Sequence, residues 1–237
     1  MLPTIILYTH TDYKDIWPII FGQNDKYLSS YNKIIFVNKN DKCIDSNYKQ
    51  IIYDDKLAYT DRIKFCLQQI NNQPILFFHE DMPLYEKPND KIIEEFTQLV
   101  ENEKADFIKL IKTDIKFISS SLHINLINAA SNNLFSIQPT ITTAQKMLKL
   151  FEEVPNTNIW NFEEIVSDIC IKHNYKCFMS SFENETKRGS AHFNSTVFPY
   201  IATAIVKGKW NFLEYRSELD LLLSEYNIDK NKRGFIN

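Results

Sequence analysis

Three consecutive ionisable residues, His79-Glu80-Asp81, follow directly on four large apolar ones, Ile75-Leu76-Phe77-Phe78, and Pro83 comes two positions later. An apolar run of this length reads as a buried strand, and the proline prevents it from continuing. A single acid at a strand end is commonly a helix cap or a solvated turn. Two acids and an imidazole together suit a hard divalent cation. Mg²⁺ or Mn²⁺ takes one or two carboxylates and keeps positions open for phosphate oxygens.

Other residues of chemical interest recur at the ends of apolar runs. Tyr8, Thr9 and His10 end the run that opens at Thr4, and Asp54 and Asp55 end "KQIIYDD" (49–55). Arg62 lies in "AYTDRIKFCLQQI" (58–70), where a planar guanidinium can grip sugar or phosphate oxygens; a surface arginine is the bland alternative. Glu163 and Glu164 follow Trp160 in "NIWNFEE" (158–164), and either acid can serve as a general base or simply favour the first turn of a helix. Lys187, Arg188, Gly189 and His192 cluster in "ETKRGSAHF", a basic loop suited to covering a diphosphate or to sitting in solvent. Cys170, His173 and Cys177 share a helical spacing, but without a nearby fourth ligand they read as buried thiols rather than a zinc site.

The elements that must position these groups follow from periodicity. "TIILYTH" (4–10), "NKIIFVNKN" (32–40), "KQIIYDD" (49–55) and "PILFFHED" (74–81) read as four strands with polar carboxyl ends. Between the last two, Ile63, Cys66, Leu67 and Ile70 mark one face of an amphipathic helix. Strands alternating with helices predict a mostly parallel α/β sheet, in which ligands sit outside the carboxyl ends of the strands. His10, Asp54, Asp55, His79, Glu80 and Asp81 are therefore expected on one rim. Residues 86–237 are less regular. They predict a helix running into a strand over "DKIIEEFTQLVENEKADFIKLI", helices within "TAQKMLKLFEEV", "NFEEIVSDICIKHN" and "ELDLLLSEYNI", and a strand at "YKCFMSS".

Bulk properties narrow the possibilities. The 237 residues are 44% hydrophobic and 14% aromatic, ample for a packed core, and carry a net charge of −3, which makes nucleic acid an unlooked-for partner. Four cysteines and the absence of a leader-like start predict a reducing, cytoplasmic setting, and no run approaches the roughly 20 apolar residues of a membrane span. With only four glycines, none clustered, neither a P-loop nor a GxGxxG fingerprint can be built. No linker or composition shift divides the chain, so residues 1–237 read as a single domain.

The order of these motifs resembles that of the GT-A fold glycosyltransferases, which transfer a sugar from a nucleotide-sugar donor. His79-Glu80-Asp81 is similar to their acidic "DxD" region, with histidine in place of the first acid. The resemblance implies a GT-A-like, Rossmann-related sheet, with residues 1–85 binding a UDP- or GDP-sugar and residues 86–237 facing a glycan or other hydroxyl acceptor. It implies donor contacts from Tyr8, Thr9, His10, Asp54, Asp55, Arg62, Glu80, Lys187 and Arg188. Mn²⁺ or Mg²⁺ would be held by Asp81 first and Glu80 second, with His79 and His192, and Glu163 or Glu164 would act as base in an inverting transfer. Two other classes stay open. One is a nucleotidyltransferase, although "ILYTHTDYKD" lacks the Gly-rich loop such enzymes use. The other is a nucleotide-sugar- or glycan-binding module without catalysis.

Overall fold

The four expected strands form, and they form side by side. The structure is a computed structural model and describes residues 1–121, 123–131, 133–189 and 192–236. Strands β1 (Thr4–Tyr8), β2 (Lys33–Val37), β3 (Tyr48–Ile52) and β4 (Pro74–His79) pair in parallel in the order β3-β2-β1-β4. Every residue of β1 and β2 is buried, and Ile75–Phe78 of β4 have no exposure at all. That is why these segments read as unbroken apolar runs: a parallel sheet is covered on both faces. Each such side chain contributes about 1.5–3 kcal/mol by leaving water.

The sheet continues through β8 (Thr140–Thr143), β5 (Phe107–Lys109), β9 (Cys177–Ser180), β7 (Ile124–Ile127) and β6 (Phe117–Ser121), giving nine strands in all. The pairings β4–β8, β8–β5, β9–β7 and β7–β6 are antiparallel and β5–β9 is parallel. Strands β1–β6 and β9 therefore share one direction, and β7 and β8 oppose it. The expected α/β class, a mostly parallel central sheet flanked by helices, is what the chain forms.

Helices α1 (Trp17–Tyr27), α2 (Tyr59–Leu67), α3 (Asp90–Glu101), α4 (Ala144–Glu153), α5 (Ile159–Lys172) and α6 (Phe212–Glu225) cover the sheet. Their starts follow local chemistry. Pro18 opens α1, where its missing N–H costs nothing. Asn89, Thr143 and Asn158 cap α3, α4 and α5 by accepting the N–H of Ile92, Lys146 and Asn161. Ile92, Ile93, Phe96 and Val100 form the buried face of α3.

The hairpin β6–β7 was not visible in the sequence, nor were the small pieces that follow β9. These are the hairpin β10–β11 (Lys187–Arg188, His192–Phe193) and the three-stranded sheet of β12 (Ile205–Val206), β13 (Lys209–Asn211) and β14 (Phe235–Ile236). Cys177 lies on β9, so it does not share a helix with Cys170 as the spacing suggested; both thiols are buried. Among the described residues, no helix is long and apolar enough to cross a membrane.

Candidate functional site

The order β3-β2-β1-β4 turns in opposite directions on either side of the β1–β4 pair: β1 leads to β2 on one side, while β4 adjoins β8 on the other. A crevice outside the carboxyl ends of strands at such a switch point is where open α/β sheets hold ligands. Tyr8 and His79, register partners that end β1 and β4, form its floor. Their rings are 4.9 Å apart, and Tyr53 stacks on Tyr8 at 5.4 Å while Tyr59 meets it edge-on at 5.5 Å.

The β1 exit is tightly held. Thr9 is fully buried and its Oγ1 accepts the Trp17 indole N–H at 2.8 Å; its carbonyl accepts the Tyr53 hydroxyl at 2.8 Å. Thr9 therefore positions the rim and offers no side chain to it. His10 Nε2 lies 2.8 Å from Asp55 Oδ1, and Asn38 donates to Asp55 Oδ2 at 2.9 Å. Arg62 donates to the carbonyls of Leu57 and Asp55 and lies 5.3 Å over the Tyr53 ring. His10, Asp55 and Arg62 thus come together as expected. Asp54 instead caps the turn through the Lys56 N–H and is exposed.

At the β4 exit, the Glu80 N–H donates to the Tyr8 carbonyl at 3.2 Å and the chain turns. Glu80 is 5% exposed, and its Oε2 has no hydrogen-bond partner among the described residues. Burial, and then the charge of Asp81, push its carboxyl up. Burial also pushes half-buried Asp81 up to about 7. Two adjacent carboxyls that both resist ionisation form a place where positive charge is stabilising, and an orphaned buried acceptor calls for a partner.

The donor set fits a divalent cation in part. Asp81 and Glu80 are hard oxygen ligands, and a cation held by one or two carboxylates completes its shell with water and phosphate. The two histidines do not join them. His79 Nε2 lies 3.0 Å from the Tyr59 hydroxyl, and burial pulls the imidazole down to about 3, so it stays neutral. His192 Nε2 lies 2.6 Å from the Tyr215 hydroxyl. Among the described residues, no group of three His, Cys, Asp or Glu side chains stands ready for a metal. Of the expected ligands, His79 and His192 are thus each engaged by a tyrosine hydroxyl, that of Tyr59 and that of Tyr215, while Asp81 lies next to Glu80.

The basic hairpin is also occupied. Lys187 pairs with Asp114 and Arg188 with Glu218, while Ser190 and Ala191 lie outside the described residues. On the acceptor side, Glu163 Oε1 accepts the Ile137 N–H at 2.7 Å, burial raises its carboxyl, and its charge is felt by Tyr59. Glu164 is exposed. Clefts open elsewhere, among them one of about 720 Å³ at the amino ends of β1 and β2 beside Thr4 and Lys33, and one of about 850 Å³ between Arg188, Glu218 and Tyr85. Chemistry favours the crevice over both: among the described residues, it is there that two adjacent burial-raised carboxyls, Glu80 and Asp81, stand at the carboxyl end of a strand.

Sequence reasoning missed the role of Tyr53 and Tyr59 and the approach of Arg233. Arg233 lies 5.3 Å over Tyr13, and its charge acts on Glu80. The only hint was Gly234 beside it, at φ 65°.

Fold and crevice together define a GT-A-like, Rossmann-related α/β protein with its acidic pair at a strand switch point. No family model matches the chain, and no curated protein matches its sequence. Among solved structures, UDP-glucose pyrophosphorylase complexed with UDP-glucose superposes with a TM-score of 0.50 at 9% identity, covering 77% of this chain and 91% of that one. TarS 1–349 from S. aureus gives 0.48 at 12% identity, covering 98% of this chain and 68% of that one. The bifunctional IspDF from Campylobacter jejuni gives 0.40 at 15%, covering 69% and 47%. The first likeness concerns the fold alone.

Proposed function

We propose that the chain is a glycosyltransferase that moves a sugar from a nucleotide-diphosphate-sugar donor, UDP- or GDP-linked, to an acceptor hydroxyl on a glycan or other substrate. The observation that carries the reading is the Glu80–Asp81 pair, buried enough to resist ionisation, at the β1–β4 switch point. Such a pair suits Mn²⁺ or Mg²⁺ held with a diphosphate. When bound, the cation would neutralise charge on the leaving diphosphate as a Lewis acid.

Tyr8, His10, Asp55 and Arg62 would receive the nucleoside. Glu163 would take the acceptor proton as the acceptor oxygen bonds to the anomeric carbon, and the bond from that carbon to the diphosphate oxygen would break. Nucleoside diphosphate leaves with the electron pair, and attack opposite the leaving group gives inversion. Two features support Glu163 over Glu164: its fixed Oε1 and its carboxyl, which burial raises above the ordinary glutamate value and so makes a better proton acceptor.

A second reading, nucleotidyl transfer, draws support from the fold shared with UDP-glucose pyrophosphorylase. Against it stands "HTDYKD" after β1, which has no glycine to cradle a triphosphate. A thermal-shift panel of nucleotides and nucleotide-sugars, each with and without Mn²⁺, tests the proposal. Ligand binding to the native state raises the midpoint. A metal-dependent rise with one nucleoside diphosphate and its sugars is expected; no rise with any of them from folded protein refutes the reading.

A further inference from the structure

The segment 204–236 reaches the crevice although it lies far from the acidic pair in sequence. The Ala204 N–H donates to the Asp81 carbonyl at 2.8 Å, and the Asn211 N–H donates to the Ala204 carbonyl at 2.9 Å. Next to Asn211, the Trp210 N–H donates to the Gly234 carbonyl at 3.0 Å. A continuous path of short backbone hydrogen bonds and neighbouring residues therefore ties Asp81 to the residue after Arg233. The small sheet β12–β13–β14 sets the position of that arginine relative to the β4 exit.

From the other side, the β1 exit fixes its plane. Asp15 accepts from Arg233 Nε and Nη2 at 2.5 Å each, a bidentate pair, and Nη1 donates to the Gly208 carbonyl at 3.3 Å. The guanidinium lies over the rings of Tyr13 and Trp210, at 5.3 and 5.8 Å. Among the described residues, these contacts use three of its five N–H donors. The side chain is 15% exposed, so the remaining donors are neither lost in the core nor free in solvent. Among the described residues, two buried polar atoms, Glu80 Oε2 and Trp210 Nε1, also lack hydrogen-bond partners.

We propose that Arg233 is a donor-binding residue that contacts the diphosphate of the nucleotide-sugar from the side opposite the acidic pair. This rests on the reading of the crevice as a nucleotide-diphosphate site. A guanidinium is suited to the task because its planar fork matches phosphate oxygens. Holding it against Asp15 and two rings before ligand arrives removes most of the ordering cost at binding. Lys187 and Arg188, the cations expected from the sequence to serve this purpose, pair with Asp114 and Glu218 on the hairpin β10–β11; Arg233 is paired too, with Asp15, but it is its charge that acts on Glu80.

The test is calorimetric titration of the full chain with UDP and uridine, and with GDP and guanosine, all with Mn²⁺. Arg233→Ala is expected to weaken the nucleoside diphosphate that binds by at least about tenfold while leaving its nucleoside unchanged. Arg233→Lys, which keeps charge without the fork, falls between. Asp15→Asn, which loosens the guanidinium without removing it, weakens the diphosphate alone and by less, and serves if Arg233→Ala does not fold. Equal loss of diphosphate and nucleoside, or no loss of either, overturns the assignment of Arg233 and spares the crevice. Failure of wild-type protein to bind any of the four probes overturns both.

Discussion

Tyr8 and His79 end adjacent parallel strands in register, with ring centroids 4.9 Å apart and both side chains buried. This contact joins the two exits that any ligand at the switch point must meet. It also engages the ring of His79 beside the acidic Glu80 and Asp81.

Tyr59 should be the keystone of that floor. Its hydroxyl lies 3.0 Å from His79 Nε2, and Tyr59→Phe would leave a buried imidazole nitrogen without its partner. A loss of about 1–3 kcal/mol is expected, read as a lower denaturation midpoint in urea at unchanged m-value. A variant as stable as wild type would show that the hydrogen bond contributes nothing.

Glu80 is expected to show the opposite balance. Its carboxylate is buried with one oxygen unpartnered, so the isosteric Glu80→Gln removes a charge the fold resists. Stability at pH 8 should rise by about 1 kcal/mol or more, and turnover should fall by about 10²-fold, the usual conflict between a functional site and a comfortable core. Rising stability with undiminished turnover would remove Glu80 from the site.

The fold of the first half was legible because its strands are buried on both faces, and unbroken runs such as Ile75–Phe78 announce that directly. The rim acids were legible for the same reason: parallel strands deliver their carboxyl ends to one edge. Short hairpins such as β10–β11, two residues a strand, carry no period to read. Arg233 was invisible because its approach to Glu80 depends on Ala204, Asn211 and Gly234 hydrogen-bonding across the chain, a tertiary route with no local pattern.

Asp81 should make the protein pH-sensitive. Burial raises its carboxyl from 3.8 to about 7. A group that holds its proton more tightly folded than unfolded contributes stability that is complete below about pH 4 and disappears as the pH rises through the folded value. The thermal midpoint without metal should therefore fall between pH 5 and 8 in the wild type and fall less in Asp81→Asn. Metal-dependent nucleotide affinity should move the other way, rising over the same window because a cation needs the ionised carboxylate. Parallel midpoint curves for the two proteins would contradict this.

Glu163 separates catalysis from structure. Glu163→Gln keeps an oxygen to accept the Ile137 N–H but cannot take a proton. Turnover should drop by about 10²–10⁴-fold with the thermal midpoint nearly unchanged. Glu163→Ala should lose both turnover and about 1–2 kcal/mol of stability, because the Ile137 donor is stranded. Full turnover in the glutamine variant would confine Glu163 to holding the 133–139 loop.

The most direct measurement is product analysis. Wild-type protein and Asp81→Asn are incubated with Mn²⁺ and either a panel of UDP- and GDP-sugars or the matching nucleoside triphosphates with sugar 1-phosphates, and released nucleotides are separated by chromatography. Sugar transfer predicts nucleoside diphosphate from one class of nucleotide-sugar, abolished in Asp81→Asn, and no pyrophosphate from triphosphates. Pyrophosphate release from a triphosphate, or no product from any donor by folded protein, would contradict the account.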